Sequence, residues 1–547
     1  MSTTGDPILQ VSQAQRKGRS YTPSPWGDFF LHHVPYTPSQ LLSLKQRAQI
    51  KEEEVRQIIL ATIASSDLAR KMELVDTLQT IGVDYHYKKE IDELLCSVYD
   101  DKDDIGSEDL YITSLRFYLL RKQGHTVSSD VFQKFRDEQG NISSDDVTCL
   151  LMLYNAAHLR THGEEILDSI ITFNKIRLQS LMTKKLEPEL AEEVQCTLET
   201  PRFRRVKRVE ARRYISVYEK KATRDETILE FAKMDYNILQ AIYCDELKEL
   251  TIWWKDFQLG TDLRFTRDRM VELHFWMMGV VYEPYYSYSR IMLTKFTIYA
   301  TMFDDLYDNY GTTKESNIFT TAMERWDEQI TEQLPAHLKA LFINILNSTN
   351  KMEEELKFQK NKHAELIKEL VIHTAKSYHA EVKWRDEHYI PTNVEEHLQI
   401  SMSSSVCMQI TNLVLISLGD VTTREDVNWA FTFPKIIRGA CIVGRVGNDI
   451  VSHEREQASE HVVSTVQTCM NQYGVTMEEA NEKLRVIIEQ AWMDIIEECL
   501  ERKRPMTLLE IPVDLARTMD FVYKRDDAFT LSFSLKDVIA SMYVNSV

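Results

Sequence analysis

The chain has 547 residues, enough for two to four domains or one large domain with an attachment, and enough to enclose a sizeable cavity. Its 84 Asp and Glu outnumber its 65 Lys and Arg, and the net charge of -19 argues against nonspecific attraction to nucleic acid or to an anionic membrane. Gly and Pro are scarce, at 16 and 13, and the eight cysteines are scattered without the spacing of a disulfide framework or zinc site, so a helical protein in a reducing compartment is expected.

In chain order, the N-terminal stretch MSTTGDPILQVSQAQRKGRS is poor in acids and lacks the apolar core of a secretory signal. It predicts a disordered cytosolic leader over residues 1–25, with a plastid address as the alternative. No run approaches the roughly 18 continuous apolar residues of a membrane-spanning helix, so no stable membrane insertion is expected. From Ser39 to Ile81 apolar residues recur at helical spacing, and similar short segments follow through Leu181. Residues 198–226 are dense in Lys and Arg around the helix-breaking Pro201; in so acidic a chain they read as a solvated or interdomain surface, and the domain boundary is placed near 228. Longer helical segments occupy 270–307, 337–388, 394–418, 427–451 and 476–501.

Three constellations carry candidate chemistry. In MFDDLYDNY, residues 302–310, a helix places Asp304 and Asp308 one turn apart on one face, with Asp305 at its edge. The preceding KFTIYATMF is apolar on nearly every side, and unpaired carboxylates are expensive in such surroundings, so a metal ion is expected there. In NDIVSHERE, residues 448–456, Asn448, Ser452 and Glu456 form one oxygen-bearing stripe, a donor set suited to Mg²⁺. In RFTRDRM, Arg267 and Arg269 flank Asp268, and Arg445 lies one turn before Asn448; such guanidiniums can clamp phosphate through paired hydrogen bonds.

With these motifs, and with PSPWGDFF near the N-terminus, SLRFYLLRKQGH, RTHGEEILD, YEPYYSYSR and WRDEHYIP, the sequence resembles plant class I terpene synthases from Trp26 onward, the grass members above all. The resemblance implies an all-α fold of two helical domains: an N-terminal relic α-barrel over 26–228 and a C-terminal α-barrel of the class I terpenoid synthase type over 229–547. It implies that Asp304, Asp305 and Asp308 hold two Mg²⁺ and that Asn448, Ser452 and Glu456 hold a third, with Mn²⁺ able to substitute. Arg267, Arg269 and Arg445 would bind the released diphosphate. Trp276 matches a position whose ring faces the carbocation, Tyr523 and Phe529 aromatic positions near the C-terminal lid, Asp527 an acidic position in that lid, and Ser404 and Ser405 the polar pair of a kinked cavity helix in which Val406 falls where many members have Gly.

The implied reaction is metal-dependent ionisation of a prenyl diphosphate followed by cyclisation of the cation in a dry pocket. The expected substrate is (2E,6E)-farnesyl diphosphate, the expected product a sesquiterpene olefin of the bisabolyl-derived kind common among the grass members, and the enzyme a cytoplasmic monomer without a nucleic-acid partner. A monoterpene synthase using geranyl diphosphate, or a noncatalytic helical binding protein of the same fold, are the alternatives. The string DKDD at 101–104 matches the acid motif of protonation-initiated cyclases literally, but its polar setting reads as a solvated turn.

Overall fold

The computed structural model describes residues 21–101, 109–183, 186–387, 389–457 and 463–547, and every regular element among them is helical. Most of the expected leader and three residues of the DKDD string lie outside the described residues; Asp101 itself ends the Lys88–Asp100 helix.

The helices begin where local chemistry dictates. Thr37 opens the Pro38–Ile63 helix with a capping box to Gln40, and Asp225 accepts from the backbone amides of Thr227 and Ile228 to open the 33-residue Glu226–Gln258 helix. Such caps satisfy amides that otherwise lack partners, each contributing about 1 kcal/mol. The sequence boundary at 228 falls inside the first turn of Glu226–Gln258, which packs lengthwise on Pro38–Ile63. One apolar core consequently runs through both halves of the chain, from Trp26 to Tyr543.

The basic stretch sits in the seam between the halves. Arg204 donates to Glu489 at 2.5 and 2.8 Å while lying over Trp492, Arg202 pairs with Asp76 at 2.8 Å, and Arg208 lies over Tyr236. Burial raises the Glu489 carboxyl, but Arg204 outweighs it and holds the group far below the ordinary range.

In the C-terminal half, a buried pivot fixes the helices that carry the site. Glu246 accepts from Arg290 at 2.9 and 2.6 Å and lies 2.8 Å from His274 Nε2; His274 Nδ1 in turn lies 2.9 Å from the Tyr543 hydroxyl. Burial alone would raise the Glu246 carboxyl, yet these partners bring it down to about 2. The pivot ties Met270–Val280 to Ser287–Asp305 below the cavity.

The most apolar long segment, Val394–Ser417, has a mean hydropathy of 1.3 over its best window, long and apolar enough to cross a membrane by that measure, but it is largely buried within the fold. It is also broken in the middle. Val406 adopts φ +65°, a left-handed conformation that is costly for a β-branched side chain, and the break separates Val394–Ser404 from Cys407–Ser417.

Candidate active site

A cavity of about 1280 Å³, its open mouth included, lies among the C-terminal helices. Its floor and sides carry Leu273, Trp276, Met277, Ala300, Val406, Ile410 and Met519, and its mouth is ringed by carboxylates and guanidiniums.

One wall of the mouth is the Ser287–Asp305 helix, which continues into a π-helical turn, Leu306–Tyr310. Such turns are rare and concentrate at functional sites. Asp304 and Asp308 both line the cavity, as the spacing predicts. Asp305 borders the same cavity, but its oxygens are engaged by protein donors. Its oxygens accept from the Thr266 hydroxyl at 2.9 Å, the Arg267 amide at 2.8 Å and the Tyr21 hydroxyl at 3.0 Å, and it is ion-paired to Arg267 Nε at 3.1 Å. Engaged by these donors and only 1% exposed, Asp305 anchors the loop before it. That corrects the expectation that all three aspartates serve as metal ligands.

The opposite wall is the Lys435–Glu456 helix. Asn448 and Glu456 line the cavity, and Ser452 lies on the same stripe with its Oγ fully enclosed and lacking a hydrogen-bond partner. Asp449, which also borders the cavity, accepts from the Thr465 amide at 2.6 Å and so holds the helix to its successor.

A third group escaped the sequence reading. Glu381, on the Leu366–Glu387 helix, reaches the mouth between the two walls and accepts from the Ser404 hydroxyl, which also receives a hydrogen bond from Arg445 Nη2 at 2.9 Å. Burial pushes the Asp308 carboxyl well above the usual range, and Asp304, Glu381 and Glu456 push it further against the opposing Arg445. Burial likewise raises Glu381, with Asp304 and Asp449 adding to it. Carboxylates that converge this way are short of positive charge.

The arginines divide. Arg267 lines the cavity, bridges to Asp304 and lies over the Phe529 ring at 5.0 Å. Arg445 also lines it, and its Nε is enclosed without a partner. Arg269 does not reach the mouth: Nε and Nη2 donate to the carbonyls of Phe529 and Thr530 at 2.9 Å each, and Nη1 to its own neighbour Asp268 at 2.7 Å. The expectation that Arg269 grips diphosphate is corrected by this geometry, because it lies outside the cavity lining and turns Nε and Nη2 to the segment after Tyr523.

That segment, 523–534, folds over the mouth. Trp276 meets Tyr523 and Phe529 edge-on at 5.7 and 5.6 Å, forming an aromatic cluster under it. Asp527 accepts from the Thr530 amide at 3.1 Å and pairs with Arg455, a cavity residue that the sequence reading did not single out. Ser404 points to the charged rim, whereas Ser405 donates to the Met402 carbonyl at 2.6 Å beside the kink. The stretch from Tyr21 to Pro25, expected as part of the disordered leader, instead crosses the mouth: Tyr21 reaches Asp305, Ser24 donates to Glu272 at 2.9 Å, and Pro23 accepts from Ser532 at 3.0 Å.

The donor set at the mouth fits divalent cations. Carboxylate and amide oxygens line the mouth from two facing walls, burial raises the Asp308 carboxyl with its acidic neighbours adding to the rise, and Ser452 Oγ on the same stripe lacks any other partner.

An all-helical chain whose oxygen-bearing walls face each other across an aromatic cavity defines a terpenoid-synthase class of protein. Residues 255–494 match the family model for "Terpene synthase family, metal binding domain", and residues 25–198 that for "Terpene synthase, N-terminal domain"; the chain therefore belongs to the plant terpene synthase family and is a lyase. It is 53% identical to the (E)-beta-caryophyllene synthase of Zea mays over 95% of each chain, and 43% identical to the zingiberene synthase of Sorghum bicolor over 97% of each. The crystal structure of grey poplar isoprene synthase, in complex with three Mg²⁺ ions and dimethylallyl-S-thiolodiphosphate, superposes with a TM-score of 0.85 at 28% identity, covering 92% of this chain and 98% of that one.

Proposed function

We propose that the protein is a sesquiterpene synthase that ionises (2E,6E)-farnesyl diphosphate and releases a C15 olefin and diphosphate. The observation that carries this reading is the convergence of Asp304, Asp308, Glu381 and Glu456 at the mouth of an apolar, aromatic cavity. It is supported by the activities for which the maize and sorghum relatives are named.

Asp304 and Asp308 on one wall, and Asn448, Ser452 and Glu456 on the other, would hold Mg²⁺, three ions being the number seen in the poplar enzyme. Those ions would supply Lewis-acid stabilisation of charge on the departing diphosphate. Arg267 and Arg445 flank the mouth and present fixed positive charge to the same oxygens, and such preorganised contacts favour C–O cleavage because they strengthen as charge develops. Below them the cavity residues exclude water, and the faces of Trp276, Tyr523 and Phe529 can each stabilise a nearby cation by roughly 0.5–2 kcal/mol. Val406, kinked into the cavity wall, limits the space in which the chain folds on itself. A boundary near 228 between a noncatalytic N-terminal unit and the catalytic unit, and action in the cytosol, belong to the same proposal.

The test is incubation of the purified protein with farnesyl, geranyl and geranylgeranyl diphosphates, with and without Mg²⁺, and identification of hydrocarbons by gas chromatography. A metal-dependent C15 hydrocarbon from the farnesyl substrate is expected. Preference for geranyl diphosphate would make it a monoterpene synthase, and absence of any metal-dependent hydrocarbon would leave only the binding-protein reading.

A further inference from the structure

Besides the largely exposed Arg525–Glu199 pair, which ties the segment to the N-terminal half, four attachments among the described residues hold the 523–534 segment over the mouth, and three of them come from one side. Arg267 Nη1 donates to the Thr530 hydroxyl at 3.1 Å, Arg269 grips the Phe529 and Thr530 carbonyls, and Ser532 is tied to Pro23. These fasten the segment to the wall that bears Asp304. The fourth crosses the opening. Arg455, next to last in the Lys435–Glu456 helix, donates through Nη2 to Asp527 Oδ2 at 2.5 Å, and the same nitrogen lies 3.5 Å from Glu456 Oε1.

The two ends of this ion pair are unequal. The Asp527 side chain is 4% exposed and the Arg455 side chain 34%. An exposed pair would contribute little. Here, however, removal of the arginine would leave an enclosed carboxylate whose remaining bond is to the Thr530 amide, and a buried charge deprived of its partner is strongly unfavourable.

We propose that Arg455 is a positioning residue, the latch by which the 523–534 segment is closed onto the wall bearing Asn448, Ser452 and Glu456. One guanidinium touches both the lid carboxylate and a rim carboxylate, so the position of the lid and the charge state of that wall are linked through it. A latched lid keeps water from the cavity during turnover. The water-exclusion part rests on the reading of the protein as a sesquiterpene synthase; the closure part does not.

The experiment has two arms, so the two can fail separately. In the metal-free protein, hydrogen exchange of the backbone amides of 527–534 is compared among the unaltered protein, Arg455→Met, Asp527→Asn, the double variant and Arg455→Lys. The expected result is about tenfold faster exchange in either single variant, no further acceleration in the double, and recovery toward normal with Lys. In the second arm, products from farnesyl diphosphate are analysed for C15 alcohols formed by water capture. Arg455→Met is expected to raise the alcohol fraction several-fold and lower kcat while leaving KM nearly unchanged. Unaltered exchange with a raised KM would overturn the latch and make Arg455 a diphosphate ligand. Additive effects of the two single substitutions would overturn it as well. Faster exchange without any product from the unaltered protein would uphold the latch and defeat the synthase reading.

Discussion

The seam between the two halves and the mouth of the cavity both gather carboxylates, and they treat them oppositely. In the seam Glu489 pairs with Arg204 at 2.5 Å and Arg160 at 3.1 Å, and desolvation, which would raise its carboxyl, is outweighed until the group lies far below its ordinary range. At the mouth, Asp304, Asp308, Glu381 and Glu456 gather with Arg267, Arg445 and Arg455 around them, and burial, reinforced by the acidic neighbours, drives the Asp308 carboxyl up against Arg445. The same side-chain chemistry therefore stabilises the fold in one place and stores electrostatic repulsion in the other. Repulsion of that kind persists where something outside the chain relieves it.

The largest effect expected from this contrast is at the mouth. Asp308→Asn should lower the rate of diphosphate release at least about a hundredfold, the scale on which loss of one preorganised electrostatic contact acts. Its melting temperature should hold or rise, because a repelling charge is gone. In the seam the signs invert. Glu489→Gln should lower the melting temperature by a few degrees, since its side chain is 38% exposed and solvent screening leaves it well short of the about 3–5 kcal/mol that breaking a fully buried pair costs, while turnover per folded molecule stays the same. A rim substitution that destabilised, or a seam substitution that abolished turnover in the folded protein, would break the comparison.

A smaller effect is expected at the kink. Val406→Gly would relieve a left-handed valine, a strain on the order of 1–3 kcal/mol, but would also loosen the backbone and remove cavity wall. Stability should change little and the ratio of products, read by gas chromatography, should shift. Smaller still is a pH effect in the seam. His86 lies 2.9 Å from Asp235 across the halves, and although burial disfavours its charge, Asp235 and Glu52 raise it from 6.5 to about 9. A raised folded-state value means that its stabilisation is complete below about 6.5 and is lost as pH rises through about 9. The melting temperature should fall across that window, and His86→Gln should flatten the fall.

Much of the site was legible in the sequence because helix periodicity reports which residues share a face. Asp304 and Asp308 share one, as do Asn448 and Glu456, and Trp276, Tyr523 and Phe529 come together as the resemblance implied. Periodicity does not report what faces a residue from elsewhere in the chain. Asp305 looked like a third ligand until Thr266, Arg267 and Tyr21 filled its oxygens, and Arg269 looked like a phosphate clamp until its donors met the carbonyls of residues some 260 positions away. Glu381 stands in AEVKWRDE, where nothing local separates it from its charged neighbours. Arg455 and Tyr21 acquire their places only through contacts with the 523–534 segment and with Asp305. The domain halves were separable by composition, yet their shared core depends on the side-by-side packing of Pro38–Ile63 and Glu226–Gln258, which no local pattern specifies.

The most direct test of the claim that the mouth is built to collect divalent cations is a thermal-shift titration with Mg²⁺ and inorganic diphosphate together. Ligands that bind only the folded state raise the melting temperature with concentration. The account predicts a rise of several degrees in the unaltered protein that is largely lost in Asp304→Asn/Asp308→Asn. No rise, or an equal rise in that double variant, would contradict it.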